Sequence, residues 1–315
     1  MDDTALVDHF NAAIVSLLPG FANNDDILGL AVSGGPDSLA LLLLAHEAFP
    51  KRIAAATVDH QLRREARDEA LFVANLCAER GISHSILTPR IPIRGSIQAE
   101  ARKARYSLLH GWMERANIAW LATAHHADDQ LETLVMRILR GSGLDGMSAI
   151  RARRGHIVRP LLDITKNQLV EFVQSHEIEP IDDPSNQDQG FDRVRVRNAL
   201  AGLEGFDVSL ANHSAAALED ARVALNWMVD GLAADHLSKT ETGCVLAKTD
   251  FPHEIQRRLV LKAIHICDPA LSPRGEQLER TIAALGTNQT TTIGNILCQG
   301  GEQWTFSPAP RRQNS

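Results

Sequence analysis

The sequence predicts an α/β domain built on an open, doubly wound, mostly parallel sheet, followed by a small, mainly helical α+β domain. Three observations predict it. From about residue 26 to 140, short apolar runs alternate with helical patterns, the signature of parallel strands joined by crossover helices. The first of those runs enters a glycine-rich turn and then a leucine-rich helix. Near Gly202-Leu203-Glu204-Gly205 the alternation stops, and an Ala-rich helical pattern runs from Ser209 to about His236,.

Taken in order, Ile27–Val32, Ile53–Val58, His84–Leu87 and Ile118–Thr123 read as strands,. Between them Ser38–Glu47, Glu65–Arg80, Ser96–Asn117 and Ala127–Arg140 carry apolar residues three and four apart and read as helices,. Thr165 with Gln168 resembles a capping box that opens a further helix toward His176,. Asp182-Asp183-Pro184-Ser185 reads as a turn that Asn186 helps to hold,. Arg193, Arg195 and Arg197 alternate as an exposed strand edge would,. The expected organisation is therefore a first domain over 1–205, a linking helix over 206–236 and a second domain over 237–315. The last holds a strand at Cys244–Lys248, helices at Glu254–Cys267 and Glu276–Leu285, and a strand pair near Thr291–Leu297 and Gln303–Phe306. The tail from Arg311 to Ser315 is expected to fray,.

Composition narrows the class. At 315 residues the chain is about twice a usual single domain,, and 44% hydrophobic with 23% charged residues argues against a disordered, collagen-like or coiled-coil chain,. The start, Met1-Asp2-Asp3, is acidic where a secretory signal would be basic, and the longest apolar run, Leu39–Ala45, is far too short to span a bilayer,. A cytoplasmic protein with no membrane partner is expected. Cys77, Cys244, Cys267 and Cys298 form no Cys-x-x-Cys pair, so they indicate neither a disulfide framework nor a zinc or iron-sulfur site and read as interior residues.

The stretch richest in chemistry is Ser33-Gly34-Gly35-Pro36-Asp37-Ser38, between the first strand and its helix. Adjacent glycines let backbone amides approach an anion, and the helix N-terminus adds free N–H groups and partial positive charge. A phosphate cradle follows. The spacing matches neither Gly-x-x-x-x-Gly-Lys nor Gly-x-Gly-x-x-Gly,. Asp37 would repel a bare phosphate, so it either holds a divalent cation against the phosphates or caps the helix.

A second cluster, His125-His126-Ala127-Asp128-Asp129-Gln130-Leu131-Glu132-Thr133, follows the fourth strand, at the edge where such sheets bind ligands,. Asp129 and Glu132 are three apart and share a helix face, which favours a cation,. Two other readings stay open: acids that only stabilise the helix N-terminus, and a transition-metal site made from His125 and Asp129.

Ser-Gly-Gly-x-Asp-Ser after a first strand resembles the loop of the N-type ATP pyrophosphatases, a Rossmann-like superfamily that cleaves ATP between its α and β phosphates. Within it, His125 to Thr133 is similar to the His-x-x-Asp-Asp-Gln-x-Glu-Thr motif of the tRNA(Ile)-lysidine synthetase family. Other matching segments appear in order: Val58-Asp59-His60-Gln61-Leu62-Arg63, Glu100 to Tyr106, Leu139-Arg140 to Asp145-Gly146, Arg159-Pro160-Leu161-Leu162, and Asp183-Pro184-Ser185-Asn186 followed by Arg193 and Arg197. The likeness covers about residues 26–200 and is loose beyond, at Gly300-Gly301-Glu302-Gln303-Trp304.

The resemblance implies ATP and Mg²⁺ as cofactors, and free L-lysine and an isoleucine tRNA with a CAU anticodon as partners, with a homodimer left open. The C2 oxygen of the wobble cytidine would be adenylated and then displaced by lysine. By that reading Ser33, Gly34, Gly35, Pro36, Asp37 and Ser38 bind ATP, and Asp37 places Mg²⁺. Asp129 and Glu132 hold the lysine cation with Arg105 and Arg197 nearby, and His125 positions a group or moves a proton. The chain also resembles the shorter members, without the further C-terminal module of the longer ones. Rival readings are a tRNA thiolase, which would need a cysteine near the loop, and an ATP-binding module without turnover.

The net charge of −7 argues at first against a nucleic-acid partner,. As an average it misleads. Between Pro89 and Arg159 there are 12 Lys or Arg against 6 Asp or Glu, a local net of +6. RNA is therefore expected over this segment, with Arg151, Arg153 and Arg154 as contacts. An aromatic content of 4% fits a partner held by phosphate contacts and shape rather than by stacking platforms,.

Overall fold

The computed structural model describes residues 1–61, 65–89, 97–148, 150–181, 192–202 and 208–310. The expected turn at Asp182–Asn186 and the tail from Arg311 lie outside them.

The apolar runs become parallel strands: β1 (Leu28–Ala31), β2 (Ile53–Val58), β3 (Ser83–Leu87) and β4 (Trp120–Ala122). Two strands that the sequence reading omitted, β5 (Arg153–Arg154) and β6 (Ile157–Val158), complete a six-stranded sheet of order β3-β2-β1-β4-β6-β5. Only β5 runs antiparallel, at the edge.

Helices cover both faces. The first, α1 (Asp3–Leu17), went unread although Leu6, Phe10 and Ile14 recur every four residues and Asp2 caps it through the Ala5 N–H,. It packs on α2 (Pro36–Ala48), which is buried along Ser38–Ala45 because α7 (Lys166–Ser175) flanks it as well. With α3 (Glu65–Glu79) these helices share one core. The opposite face is closed by α4 (Ile97–Arg115), whose Leu109, Trp112 and Met113 pack on Ala54, Ala56 and Leu121. Period-two alternation along β2 sends Ile53 and Ala55 to one core and Ala54 and Ala56 to the other,. Each leucine of the α2 run contributes roughly 1.5–3 kcal/mol through burial. The sheet thus points its strand ends, and the loops after β1, β2 and β4, toward one edge.

After β4 come α5 (Ala127–Leu139), the short α6 (Leu144–Met147) and, beyond α7, α8 (Asp192–Ala201). The last corrects the reading of Arg193–Arg197 as a strand edge: the Arg-Val alternation is helical, with Val194 buried, Arg195 exposed and Arg193 and Arg197 half-buried.

The chain divides into two compact units, Met1–Glu219 and Asp220–Ser315, within the 29-residue helix α9 (Val208–His236). The second unit holds an antiparallel sheet of order β7-β8-β11-β10-β9, made by Leu237–Lys239, Cys244–Leu246, Trp304–Pro308, Ile296–Gln299 and Thr290–Ile293, with α10 (His253–Cys267) and α11 (Gly275–Gly286). The expected single strand at Thr291–Leu297 is a hairpin, because Gly294 at φ 57° turns the chain between β9 and β10,. All four cysteines are free thiols. Burial raises the Cys244 and Cys298 thiols to about 12 and that of Cys77 to about 11. Among the described residues no helix is long and apolar enough to cross a membrane.

Candidate active site

The phosphate loop is folded by its own residues. Gly34 adopts φ 89°, and a Cβ there would lie 2.8 Å from Ile181 Cδ1, so both conformation and space require glycine. Ser38 turns its hydroxyl back beneath the loop. Its Oγ accepts from the N–H groups of Ser33 and Gly34, both at 3.1 Å, and donates to the Gly35 carbonyl at 3.0 Å. The Ile181 N–H closes the other side on the Gly34 carbonyl at 3.0 Å. Gly35 precedes the first turn of α2, and Pro36 is its first residue, so the amides of Asp37 and Ser38 are those that the turn leaves for an anion.

Asp37 faces the start of α5. Its Oδ2 lies 3.5 Å from His126 Nε2, while Oδ1 is buried with no hydrogen-bond partner among the described residues. The backbone of His126 caps α5, donating its N–H to Asp129 Oδ2 at 3.1 Å. The His126 ring is surrounded by acids, with Asp128 Oδ2 at 3.5 Å and Asp129 Oδ2 at 3.8 Å. Burial works against the imidazolium, but the carboxylates of Asp128 and Asp37, with the charge of Asp129, outweigh it and raise the ring to about 10,. His126 is therefore a cation joining the phosphate loop to the acid helix. Asp128 also caps α7, accepting from the Lys166 N–H at 2.8 Å, and these bonds hold it below the usual carboxylate range despite burial.

Asp129 and Glu132 meet α8. Arg193 donates from NH2 to Asp129 Oδ1 at 2.7 Å and from Nε to Glu132 Oε2 at 2.5 Å, and Arg197 Nε donates to Glu132 Oε1 at 2.6 Å. Glu132 is 3% exposed with an arginine on each oxygen, while the two guanidinium side chains remain 38% and 36% exposed. Among the described residues, the carboxylates of Asp37, Asp128, Asp129 and Glu132 thus meet the side chains of His126, Arg193 and Arg197.

His125 differs from its neighbour. Burial pushes its ring down to about 4, Asp129 opposes this, and Arg159, Arg193 and Arg102 add to the fall. It is a neutral ring, its Nδ1 3.0 Å from Thr123 Oγ1. Arg105 lies on the exposed side of α4 and lowers the nearby His60, which burial already depresses. Arg102, also exposed on α4, is among the arginines whose field lowers His125.

The expected RNA contacts are partly engaged within the protein. Arg153 stacks its guanidinium 4.3 Å from the Trp120 ring centroid and donates to the Leu17 carbonyl, yet stays exposed. Arg154 is exposed beside it, and the Arg151 carbonyl accepts from the buried Arg159.

Sequence reasoning passed over His126, and it placed Arg193 in a strand. The spacing of Arg193 and Arg197, four apart, was the available signal, since on a helix such residues share a face. The structure brings together Asp37, Asp129, Glu132 and Arg197. Among the described residues, no group of three or more His, Cys, Asp or Glu side chains is arranged to hold a metal ion.

The family of the PP-loop domain matches residues 6–203. The chain is 39% identical to the tRNA(Ile)-lysidine synthase of Zymomonas mobilis over 97% of its own length and 95% of that protein's, and 38% identical to that of Novosphingobium aromaticivorans over 90% of each. The chain belongs to the tRNA(Ile)-lysidine synthase family. Among solved structures, the U34-tRNA thiolase NcsA of Methanococcus maripaludis with its [4Fe-4S] cluster superposes with a TM-score of 0.57 over 69% of this chain and 78% of that one. At 16% identity that likeness shows a shared fold alone. A member of the lysidine synthase family with a PP-loop domain uses ATP, and its phosphate loop and acid cluster here face each other across one imidazolium.

Proposed function

We propose that this protein joins free L-lysine to C2 of the wobble cytidine in an isoleucine tRNA with a CAU anticodon, consuming ATP and releasing pyrophosphate and AMP in the cytoplasm. The observation that carries this reading is His126, which lies within 4 Å of both Asp37 on the phosphate loop and Asp129 on the acid helix. Nucleotide and amine chemistry then share one site.

In the first step the C2 oxygen attacks the α-phosphorus and pyrophosphate leaves. The α2 N-terminus and the glycine-rich turn bind the phosphates. The buried Asp37 Oδ1, which has no hydrogen-bond partner among the described residues, fits a divalent cation at that residue. Mg²⁺ held there would offset charge on the leaving pyrophosphate.

In the second step the ε-amine of lysine attacks C2, AMP leaves, and the amine loses its protons. A free lysine with a pKa of about 10.4 arrives as a cation, and Asp129 is the carboxylate we assign to receive it. Both carboxylates are engaged, but Asp129 is 15% exposed and Glu132 only 3%; Glu132 holds Arg193 and Arg197 in place, and their planar guanidinium groups suit the α-carboxylate of lysine. Neutral His125 offers an unprotonated ring nitrogen at physiological pH. The tRNA lies over the basic segment that includes Arg151, Arg153 and Arg154.

Incubation with the CAU-anticodon isoleucine tRNA, α-labelled ATP and lysine tests the reading. Lysine-dependent AMP release with a nucleoside mass gain matching lysine is expected. AMP release that ignores lysine, or a mass gain of sulfur, overturns it.

A further inference from the structure

The helix faces that carry the acid–arginine cluster continue beyond it. On α5 the residues following Glu132 along the same face are Val135, Met136 and Leu139, and on α8 those following Arg193 and Arg197 are Val196 and Leu200,. They line an open groove of about 590 Å³ whose remaining walls include Arg140 and Arg195. That volume lies within the roughly 300–1,000 Å³ of small-ligand sites. Leu139 is 74% exposed and the adjacent Ile138 is 55% exposed, an apolar surface of the kind that marks a contact site.

The position of the groove limits what fills it. At about 1.5 Å of rise per residue, Val135 to Leu139 lie roughly 4–11 Å along α5 from Glu132, within one or two nucleotides of a base held at the acid cluster. Chemistry on C2 of a cytidine requires that base to leave its stack, which uncovers the faces of its neighbours in the loop. Proteins that read RNA loops stack such faces on aromatic side chains or arginine planes, and aliphatic side chains can likewise take an uncovered base face out of water.

We propose that the α5–α8 groove is an RNA subsite that seats the anticodon-loop nucleotide adjacent to the modified cytidine, its base against Met136, Leu139 and Leu200 and its phosphates toward Arg140 and Arg195. This rests on the lysidine-forming reading. Charge favours RNA over an amphipathic protein helix, because both charged residues lining the groove, Arg140 and Arg195, are basic,.

The test uses the full chain with Leu139→Glu and, separately, with Arg140→Ala and Arg195→Ala combined, and measures affinity for the isolated CAU anticodon stem-loop across a salt series. Leu139→Glu is expected to weaken binding roughly 10-fold, the scale of losing one apolar side chain's burial against the base, with KM for ATP and lysine and the thermal midpoint unchanged. The arginine pair is expected to lower the slope of log Kd against log salt by about 1.4, two single-strand phosphates at roughly 0.7 each. Because Leu139 is so exposed, its replacement leaves the core untouched. Lysidine formation by the wild type with unchanged RNA affinity in both variants overturns the groove alone. Wild-type RNA affinity together with altered sedimentation of Leu139→Glu also overturns it and assigns the surface to a protein partner. Absence of lysidine in the wild type overturns the reading beneath.

Discussion

The two halves of the candidate site are built by different means. The phosphate loop lies within eleven consecutive residues, Leu28 to Ser38, and its bonds to itself span no more than five positions. The acid–arginine cluster joins side chains 61 to 65 positions apart, from α5 and α8. One half is fixed by backbone conformation, the other by charge pairing between separate helices. The first should therefore fail locally when damaged, and the second should fail through packing and substrate binding together.

The largest expected effect breaks the second half at its centre. Asp129→Ala removes the carboxylate assigned to the lysine cation and the acceptor of the His126 N–H, and should lower lysidine formation by on the order of 10³-fold, the scale for a lost electrostatic group in an active site. Pyrophosphate exchange with ATP, read in the same variant, should persist, since the loop is intact. Wild-type turnover would sink the assignment of Asp129. Glu132→Ala comes next. It leaves two guanidinium groups without their shared anion, but both are about one-third exposed and can turn to water, so the cost is nearer 2 kcal/mol than the 3–5 of a fully buried pair. Urea denaturation should show that loss, and steady-state kinetics should show KM for lysine rising while KM for ATP holds. A rise in both equally would mean that α8 supports the whole site rather than the lysine half.

Gly34→Ala tests the local half. It places a Cβ at φ 89° and against Ile181, at about 1–2 kcal/mol for the left-handed conformation, and should raise KM for ATP without affecting KM for lysine. Its mirror-image pattern to Glu132→Ala is what the comparison demands, and a shift in lysine KM would erase the distinction.

The same division explains how much of the site was legible in the sequence. Residues 33–38 could be read almost completely, because glycine freedom and a helix N-terminus are local properties. The four parallel strands and their crossover helices were legible for the same reason, being set by runs of apolar residues. The arginine helix was not: Arg-Val-Arg-Val-Arg has the period of a strand, and only Glu132, far away in sequence, gives its helical form two partners on one face. His126 was missed because its charge arises from three acids contributed by two separate elements. On α4 the field of Arg102 reaches His125 and that of Arg105 reaches His60, and which ring each arginine meets depends on how α4 is turned, which its own sequence does not set. The β5–β6 hairpin, two residues a side, is too short to carry any periodicity.

The smallest effect expected concerns His125, and it separates the halves by pH. Its ring is held near 4 in the folded protein against an ordinary 6.5. A group with a lowered folded pKa binds protons more weakly folded than unfolded, so acid favours the unfolded chain. The stability it contributes is complete above about 6.5 and is lost as pH falls toward 4. Between pH 7 and 5.5 one such histidine accounts for roughly 1 kcal/mol. His125→Gln should flatten the decline in unfolding free energy over that interval by about that amount. His60 and His84, whose rings burial also lowers, act in both proteins alike and drop out of the difference. Parallel declines in the two proteins would mean that the ring is charged in the native state and that His125 adds a cation beside Asp129.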